Sequence, residues 1–403
     1  MKKIFNFALT AVFFCTVNAY CFAINYNETN PDAQYEIGRR YLEGDGIKKD
    51  EVQAFNWFKK AALQGNVEAQ YEVASLYASG KGNVNQSDKE AFKWYKKAAD
   101  KGHGEAKFYL GEMYQNARSV AQNNELALKY YEESAADGYV EAQYTLGELY
   151  YTGTMVEKDY EKAYKWFLKA SEQKDKRAQY CLANMYKLGQ GTAKNFETAL
   201  KLYKESAEQG DANAQNELGS YYYDRGNYKA SLKWYDEAAN QGNSDAEYAL
   251  GLIYYHGETG KINFTASLEY FRRAMVGGNE DAIFMLGMIY YNGYEVDKDY
   301  SEAMDYFKEY DKLKNDSEAE YMIGCMYASG EGVEEDEDEA KEWLLKAAKQ
   351  NHEGAKTKLK ELFGEDFNVK LENVSAVQSD NDANKEPKTD GDDIKSSVQD
   401  FKE

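Results

Sequence analysis

Ser171-Glu172-Gln173-Lys174 has the Ser-x-x-Lys spacing at which an amine can activate a hydroxyl nucleophile, as in serine enzymes that act on β-lactams or cell-wall-related substrates. The Ser-Asp-Asn and Lys-Thr-Gly segments that complete such a site are missing. Ser171 also stands where other segments have the second alanine of an Ala-Ala pair, as in Ala61-Ala62 and Ala98-Ala99. It therefore reads as a helix position, and no catalytic residue is assigned. Metal chemistry fails on inventory: the histidines are His103, His256 and His352, with no His-Glu-x-x-His and no Cys-x-x-Cys. His103 and His352 each follow a closing turn and read as turn residues. The run Glu334 to Glu339 lacks the Asp-x-Asn-x-Asp-Gly alternation of a calcium loop. It reads as a solvated first helical turn, where carboxylates favour the helix dipole. No metal and no cofactor is expected.

What remains is the chemistry of binding, carried by 37 tyrosines in an acidic chain. Tyrosine follows alanine eight positions on at Ala33/Tyr41, Ala69/Tyr77, Ala106/Tyr114, Ala142/Tyr150, Ala178/Tyr186, Ala214/Tyr222, Ala246/Tyr254, Ala282/Tyr290 and Ala319/Tyr327. Successive alanines lie 32 to 37 residues apart, a period that denotes a stacked array rather than an enzyme core. With each alanine as position 0, positions 0, +1, +4, +5 and +8 form one helical stripe and are expected to face the core, the +8 tyrosines included.

Positions −1, +2, +6 and +9 share the opposite stripe. At +2 stand Tyr35, Tyr71, Phe108, Tyr144, Tyr180, Tyr248, Phe284 and Tyr321; at +9, Tyr151, Tyr223, Tyr255 and Tyr291. At −1 stand Asp32, Glu68, Glu105, Glu141, Asp245, Asp281 and Glu318. An aromatic floor with acidic edges suits a protein segment bearing basic and apolar groups. The +2 rings could equally serve to pack neighbouring helices. The +9 tyrosines, absent from several repeats, are the sharper candidates. Changes at Tyr223, Tyr255 and Tyr291 are expected to abolish partner capture without lowering the melting temperature.

The elements that position these residues are helix, glycine-bearing loop and antiparallel helix. In residues 140–174, Ala142, Leu146, Gly147 and Tyr150 mark the first helix, Gly153 the break, and Ala163, Trp166, Phe167 and Ala170 the second. Residues 32–66 carry Ala33-Gln34-Tyr35, Gly38, Tyr41, Gly44, Gly46, Asp50, Ala54, Trp57-Phe58, Lys60-Ala61-Ala62 and Gly65. This pattern resembles the Sel1-like repeat, a relative of the tetratricopeptide repeat with a longer internal loop, over residues 32–352 in nine copies. The resemblance implies an all-α fold, a right-handed α-α superhelical solenoid, with the candidate tyrosines lining a concave groove. It also implies a non-catalytic protein–protein interaction scaffold. Some exported members have been proposed to act on β-lactams, which keeps a weak hydrolase as a remote alternative. The sixth repeat, 213–243, lacks the loop glycines and reads as an ordinary tetratricopeptide unit. The eighth has Tyr310-Asp311 in place of Ala-Ala, so looser or differently angled packing is expected there.

The ends read differently. Met1-Lys2-Lys3, an apolar run and small residues at Ala19 and Ala23 form a signal-peptide pattern over 1–23, followed by a short segment, 24–31. Residues 353–364 are expected to form a capping helix, and 365–403 an acidic disordered tail. Cleavage would leave Cys181 and Cys325, too far apart in the array for a disulfide. The net charge of −21 argues against nucleic acid and anionic lipid. The expectation is an exported, periplasmic monomer, with no integral membrane association, that binds a protein partner and regulates an envelope process. A secreted factor acting on host proteins is the alternative.

Overall fold

The computed structural model describes residues 29–258 and 260–364. The signal pattern, most of segment 24–31 and the acidic tail lie outside the described residues. Nineteen helices and no strand are found among the described residues. They alternate as first and second helices of a repeat: α1 (Pro31–Glu43) with α2 (Glu51–Leu63), α3 (Val67–Ser79) with α4 (Asp88–Ala99), α5 (Gly104–Gln115) with α6 (Asn124–Ala136), and α7 (Val140–Thr152) with α8 (Tyr160–Glu172). The series continues with α9 (Lys176–Leu188) and α10 (Phe196–Glu208), then α11 (Ala212–Tyr223) and α12 (Tyr228–Ala239). Next come α13 (Ser244–His256) with α14 (Phe264–Val276), α15 (Asp281–Asn292) with α16 (Tyr300–Lys314), and α17 (Ser317–Ser329) with α18 (Glu337–Lys349), closed by α19 (Glu353–Phe363). The chain divides into two compact units, Met1–Glu247 and Tyr248–Glu403. Each is an array of antiparallel helix pairs.

Local chemistry sets the helix ends. Second helices start on Asp50, Ser87, Asn123, Asp159, Asn195, Asn227, Asn263, Asp299 and Asp336, whose side chains accept backbone N–H groups of the first turn. The backbone N–H of each of these caps donates to the carbonyl of the +8 tyrosine of its own repeat, as Asp159 to Tyr150 at 2.8 Å and Asp336 to Tyr327 at 3.0 Å. The loop between the helices is thus closed by main chain. It is also held tightly: a Cβ added at Gly191, where φ is +65°, would sit 2.1 Å from the Tyr160 carbonyl oxygen of the preceding repeat. Pro31, placed outside the array by its sequence context, is the first residue of α1, where its missing N–H costs nothing. The sixth repeat replaces the loop by a turn, with the Asn227 N–H donating to the Tyr222 carbonyl at 3.0 Å.

The core differs in one register position from the sequence expectation. Leu or its equivalents at +4 and +7, such as Leu146 and Leu149 or Leu286 and Ile289, are buried. Of the +8 tyrosines only Tyr150 and Tyr290 are; the other seven are half-buried. Tyr77 and Tyr327 reach the preceding repeat's second helix, where Lys59 donates to the Tyr77 hydroxyl at 2.8 Å and Lys308 to that of Tyr327 at 3.0 Å. An amphipathic phenol can cover apolar surface while keeping its hydroxyl at a charged partner, so +8 is a seam rather than core. The tightest contact is at +5: a Cβ on Gly147 would lie 2.5 Å from the Phe167 ring, which fills that space. Tyr310 takes the place of the alanine found in most other repeats. It is buried, with its hydroxyl donating to Asp281 at 3.0 Å, and α16 runs on to close at Asn315.

Candidate functional site

The +2 aromatics pack inward, against the second-helix ring that faces position +5, a glycine in seven repeats and an alanine, Ala74 or Ala183, in two. Tyr35 meets Phe58 at 5.7 Å between centroids, Tyr144 meets Phe167 at 5.8 Å, Tyr248 meets Phe271 at 5.6 Å and Phe284 meets Phe307 at 5.4 Å. Tyr71 lies 5.9 Å from Tyr95, Phe108 5.4 Å from Tyr131, and Tyr180 6.1 Å from Tyr203. Phe108 is buried and the other +2 rings are half-buried, so this stripe serves packing first. Tyr321 is stacked instead on His352, at 4.6 Å.

The +9 tyrosines are engaged too. Tyr151 packs on Tyr160, and its hydroxyl donates to Gln190 of the following repeat at 3.0 Å. Tyr291 does the same with Tyr300 and Glu331, at 2.9 Å. Tyr255 packs on Phe264 and meets Tyr294 of the next repeat at 5.8 Å; Tyr223 packs on Tyr228. Burial pushes the Tyr151, Tyr255 and Tyr291 phenols up. The expectation that +9 changes leave stability untouched is therefore corrected for Tyr255 and Tyr291, whose rings, like that of Tyr151, tie one repeat to the next.

The side chains of the first helices that this packing leaves available lie at −1, +3 and +6, and they differ between the units. In the first unit, +3 and +6 include Glu36, Glu72, Tyr109, Glu112, Glu148 and Glu217. Around Glu105 on α5 a dense network forms: it accepts the Tyr71 hydroxyl at 2.6 Å and that of Tyr139 at 3.2 Å. Tyr71 stacks on His103, 4.6 Å away and nearly parallel, and His103 is bonded to Glu68 at 3.1 Å. His103 also caps α5 by accepting the Ala106 N–H, a role that His352 repeats at α19 with Glu318. Burial, then the charges of Glu105 and Glu68, push Glu72 up to about 7; burial also raises Glu112. The acidic series at −1 is broken by Arg177, which pairs with Glu141 at 2.7 Å and lies over the Tyr144 ring.

In the second unit positions +3 and +6 are apolar, while −1 stays acidic at Asp281 and Glu318. Ala249, Met285 and Met322 stand at +3, Leu252, Met288 and Cys325 at +6, all half-buried. Met285 and Met322 were missed in the sequence because +3 was not counted on the stripe, and Met288 because only aromatic and acidic side chains were sought there; their concentration between residues 275 and 326 was the available signal. Methionine adapts its shape to what it touches, a property of promiscuous binding surfaces.

The catalytic alternatives gain nothing from the geometry. Ser171 lies in the last turn of α8, and Lys174 leaves it with φ 65°. The Lys174 backbone N–H donates to the Ser171 carbonyl at 2.9 Å, closing the end of the helix. Asp336 and the acids after it cap and open α18. Among the described residues no three His, Cys, Asp or Glu side chains converge as metal ligands would. Cys181 and Cys325 are free, and burial pushes the Cys181 thiol up to about 12. No helix among the described residues is long and apolar enough to cross a membrane.

Known proteins place this geometry. The Sel1 repeat matches nine consecutive segments, from 31–66 through 140–175 and 212–243 to 317–352. A protective antigen of uropathogenic Escherichia coli strains, with this repeat fold, is 31% identical with a TM-score of 0.73, over 83% of this chain and 72% of its own. A Sel1 repeat protein from Oxalobacter formigenes is 34% identical with a TM-score of 0.53, over 60% of this chain and 98% of its own. No curated protein matches the chain. With nine matched repeats in an all-helical array and such neighbours, the chain belongs to the Sel1 repeat family, whose members generally serve as scaffolds for protein–protein interaction.

Proposed function

We propose that this protein is an exported, non-catalytic scaffold that holds a partner protein against the first-helix faces, the side that is concave in arrays of this family. The observation that carries the reading is the Glu72–Glu105–Tyr71 network. A carboxylate desolvated to a pKa of about 7 beside two others is unfavourable for the array alone, and an incoming cation would relieve it. Basic side chains of the partner would meet the acidic first-helix face of the first unit. Export is supported by the pattern of residues 1–23.

Photo-crosslinking tests the binding face. A crosslinking residue at position 36 or 148 should trap one common partner, whereas one at Lys93 or Lys165 on the second helices should not. Equal trapping from both sets overturns the reading. The similarity to a protective antigen favours a second possibility, a factor released to meet host proteins. Retention in the periplasm with none in the medium excludes release; appearance in the medium excludes a resident envelope scaffold.

A further inference from the structure

Three of the +9 tyrosines show what the second repeat, among several without this ring, leaves unfilled. Tyr151, Tyr255 and Tyr291 each reach the +12 residue of the following repeat, which is Gln190, Tyr294 and Glu331. The Tyr151 and Tyr291 rings also cover the notch-filling ring of their own repeat, Phe167 at 6.3 Å and Phe307 at 6.4 Å. In the second repeat position +9 is Ala78, position +5 is Ala74 rather than glycine, the second-helix ring beside Tyr71 is Tyr95, and the +12 residue of the third repeat is Arg118. A cavity of about 200 Å³ lies there, between α3, α4 and α5, and Ala78, Ser79, Tyr95, Tyr109, Met113 and Arg118 line it.

The cavity has the features of a ring site. Its floor is a stacked pair, Tyr95 on Tyr109, 5.2 Å apart and 16° from parallel. Met113 supplies a soft edge of the kind that favours aromatic contact. Arg118 is held by Asp88 through Nη2 at 2.6 Å and Nε at 3.4 Å, which leaves Nη1 to donate. An enclosed apolar cavity of about 150 Å³ is enough to take benzene, so a phenol ring fits this one. The charge nearby is negative: Glu105 and Glu112 act on Tyr109, and Glu112 also on Arg118.

We propose that this cavity receives a tyrosine side chain of the partner protein, its ring lying where the +9 ring lies in other repeats and its oxygen accepting from Arg118, with basic residues flanking it. The proposal rests on the reading that the first-helix face of the first unit binds the partner. The missing intramolecular ring becomes an intermolecular anchor, the buried aromatic type that dominates interface energetics.

The test uses the full-length chain with ¹³C-methyl methionine, the Met113 signal being assigned from Met113→Leu. Titration with N-acetyl-tyrosinamide should shift the Met113 methyl saturably, and N-acetyl-leucinamide should not. Ala78→Tyr, which supplies the ring in cis, should abolish the response while keeping or raising the melting temperature. Ala78→Leu, a smaller filling, should weaken it should the tyrosine variant fold poorly. A Met113 methyl that does not move, or an Ala78→Tyr protein that responds as wild type, overturns the proposal. Once a partner is trapped, its capture by Ala78→Tyr separates the two readings. Capture lost with Glu72→Lys but kept with Ala78→Tyr removes only the tyrosine site. Capture kept by both removes the acidic face as well.

Discussion

At the scale of single residues, two positions show how the array trades comfort for shape. Gly147 exists because Phe167 occupies the space of its Cβ, and Gly287 because Phe307 does. Gly147→Ala should therefore destabilise by about 1–3 kcal/mol through overpacking, read as a lower midpoint in urea unfolding. Glu72 is the opposite case, a side chain that fits but is electrically unhappy. Its pKa is about 7 in the folded protein and close to 4.3 in an unfolded chain. The folded state therefore binds the extra proton, and the stability this brings is full at acid pH and lost as pH rises through about 7. Glu72→Gln should flatten the dependence of melting temperature on pH between about 5 and 8, and raise it by about 2 °C at pH 8. An unchanged slope would show that Glu72 is solvated in solution.

At the scale of elements, the hydroxyl bonds from +9 to +12 are the joints between repeats. Tyr151→Phe keeps the ring on Tyr160 but loses the bond to Gln190, at a cost of about 1 kcal/mol. Hydrogen exchange of the 189–195 loop should speed up in that variant, while α7 stays protected. The sequence made the helices, their caps and the glycine loops legible, because each depends on neighbours within one repeat. It also made the +2 and +9 rings visible, yet not their use. Tyr151 and Gln190 are 39 positions apart, and no local pattern tells which repeat a phenol will reach. The +8 tyrosines misled for a related reason: a large ring at a helical spacing looks like core until the preceding repeat's Lys59 or Lys308 is seen at its hydroxyl. The methionines of the second unit were legible in composition, and their face only in three dimensions.

At the scale of the molecule, stability in each unit is a chain of nearest-neighbour contacts, so damage should remain local. Leu359 of α19 is buried against Leu344, Ala347 and Ala348 of α18. Leu359→Ala should cost about 2–5 kcal/mol at that end. Exchange protection should fall in α17 and α18 and stay unchanged in α3 to α10; a uniform loss would mean that the array melts as one body. The cap has a further meaning. Its His352 accepts the Ala355 N–H and stacks on Tyr321, as His103 accepts the Ala106 N–H and stacks on Tyr71. Helix α19 thus repeats the first helix of another copy. A terminus built this way is a splice point: a duplicate of residues 317–352 inserted ahead of Glu353 would find the same partner surface on both sides, and the protein could be lengthened by whole units without a new joint being designed.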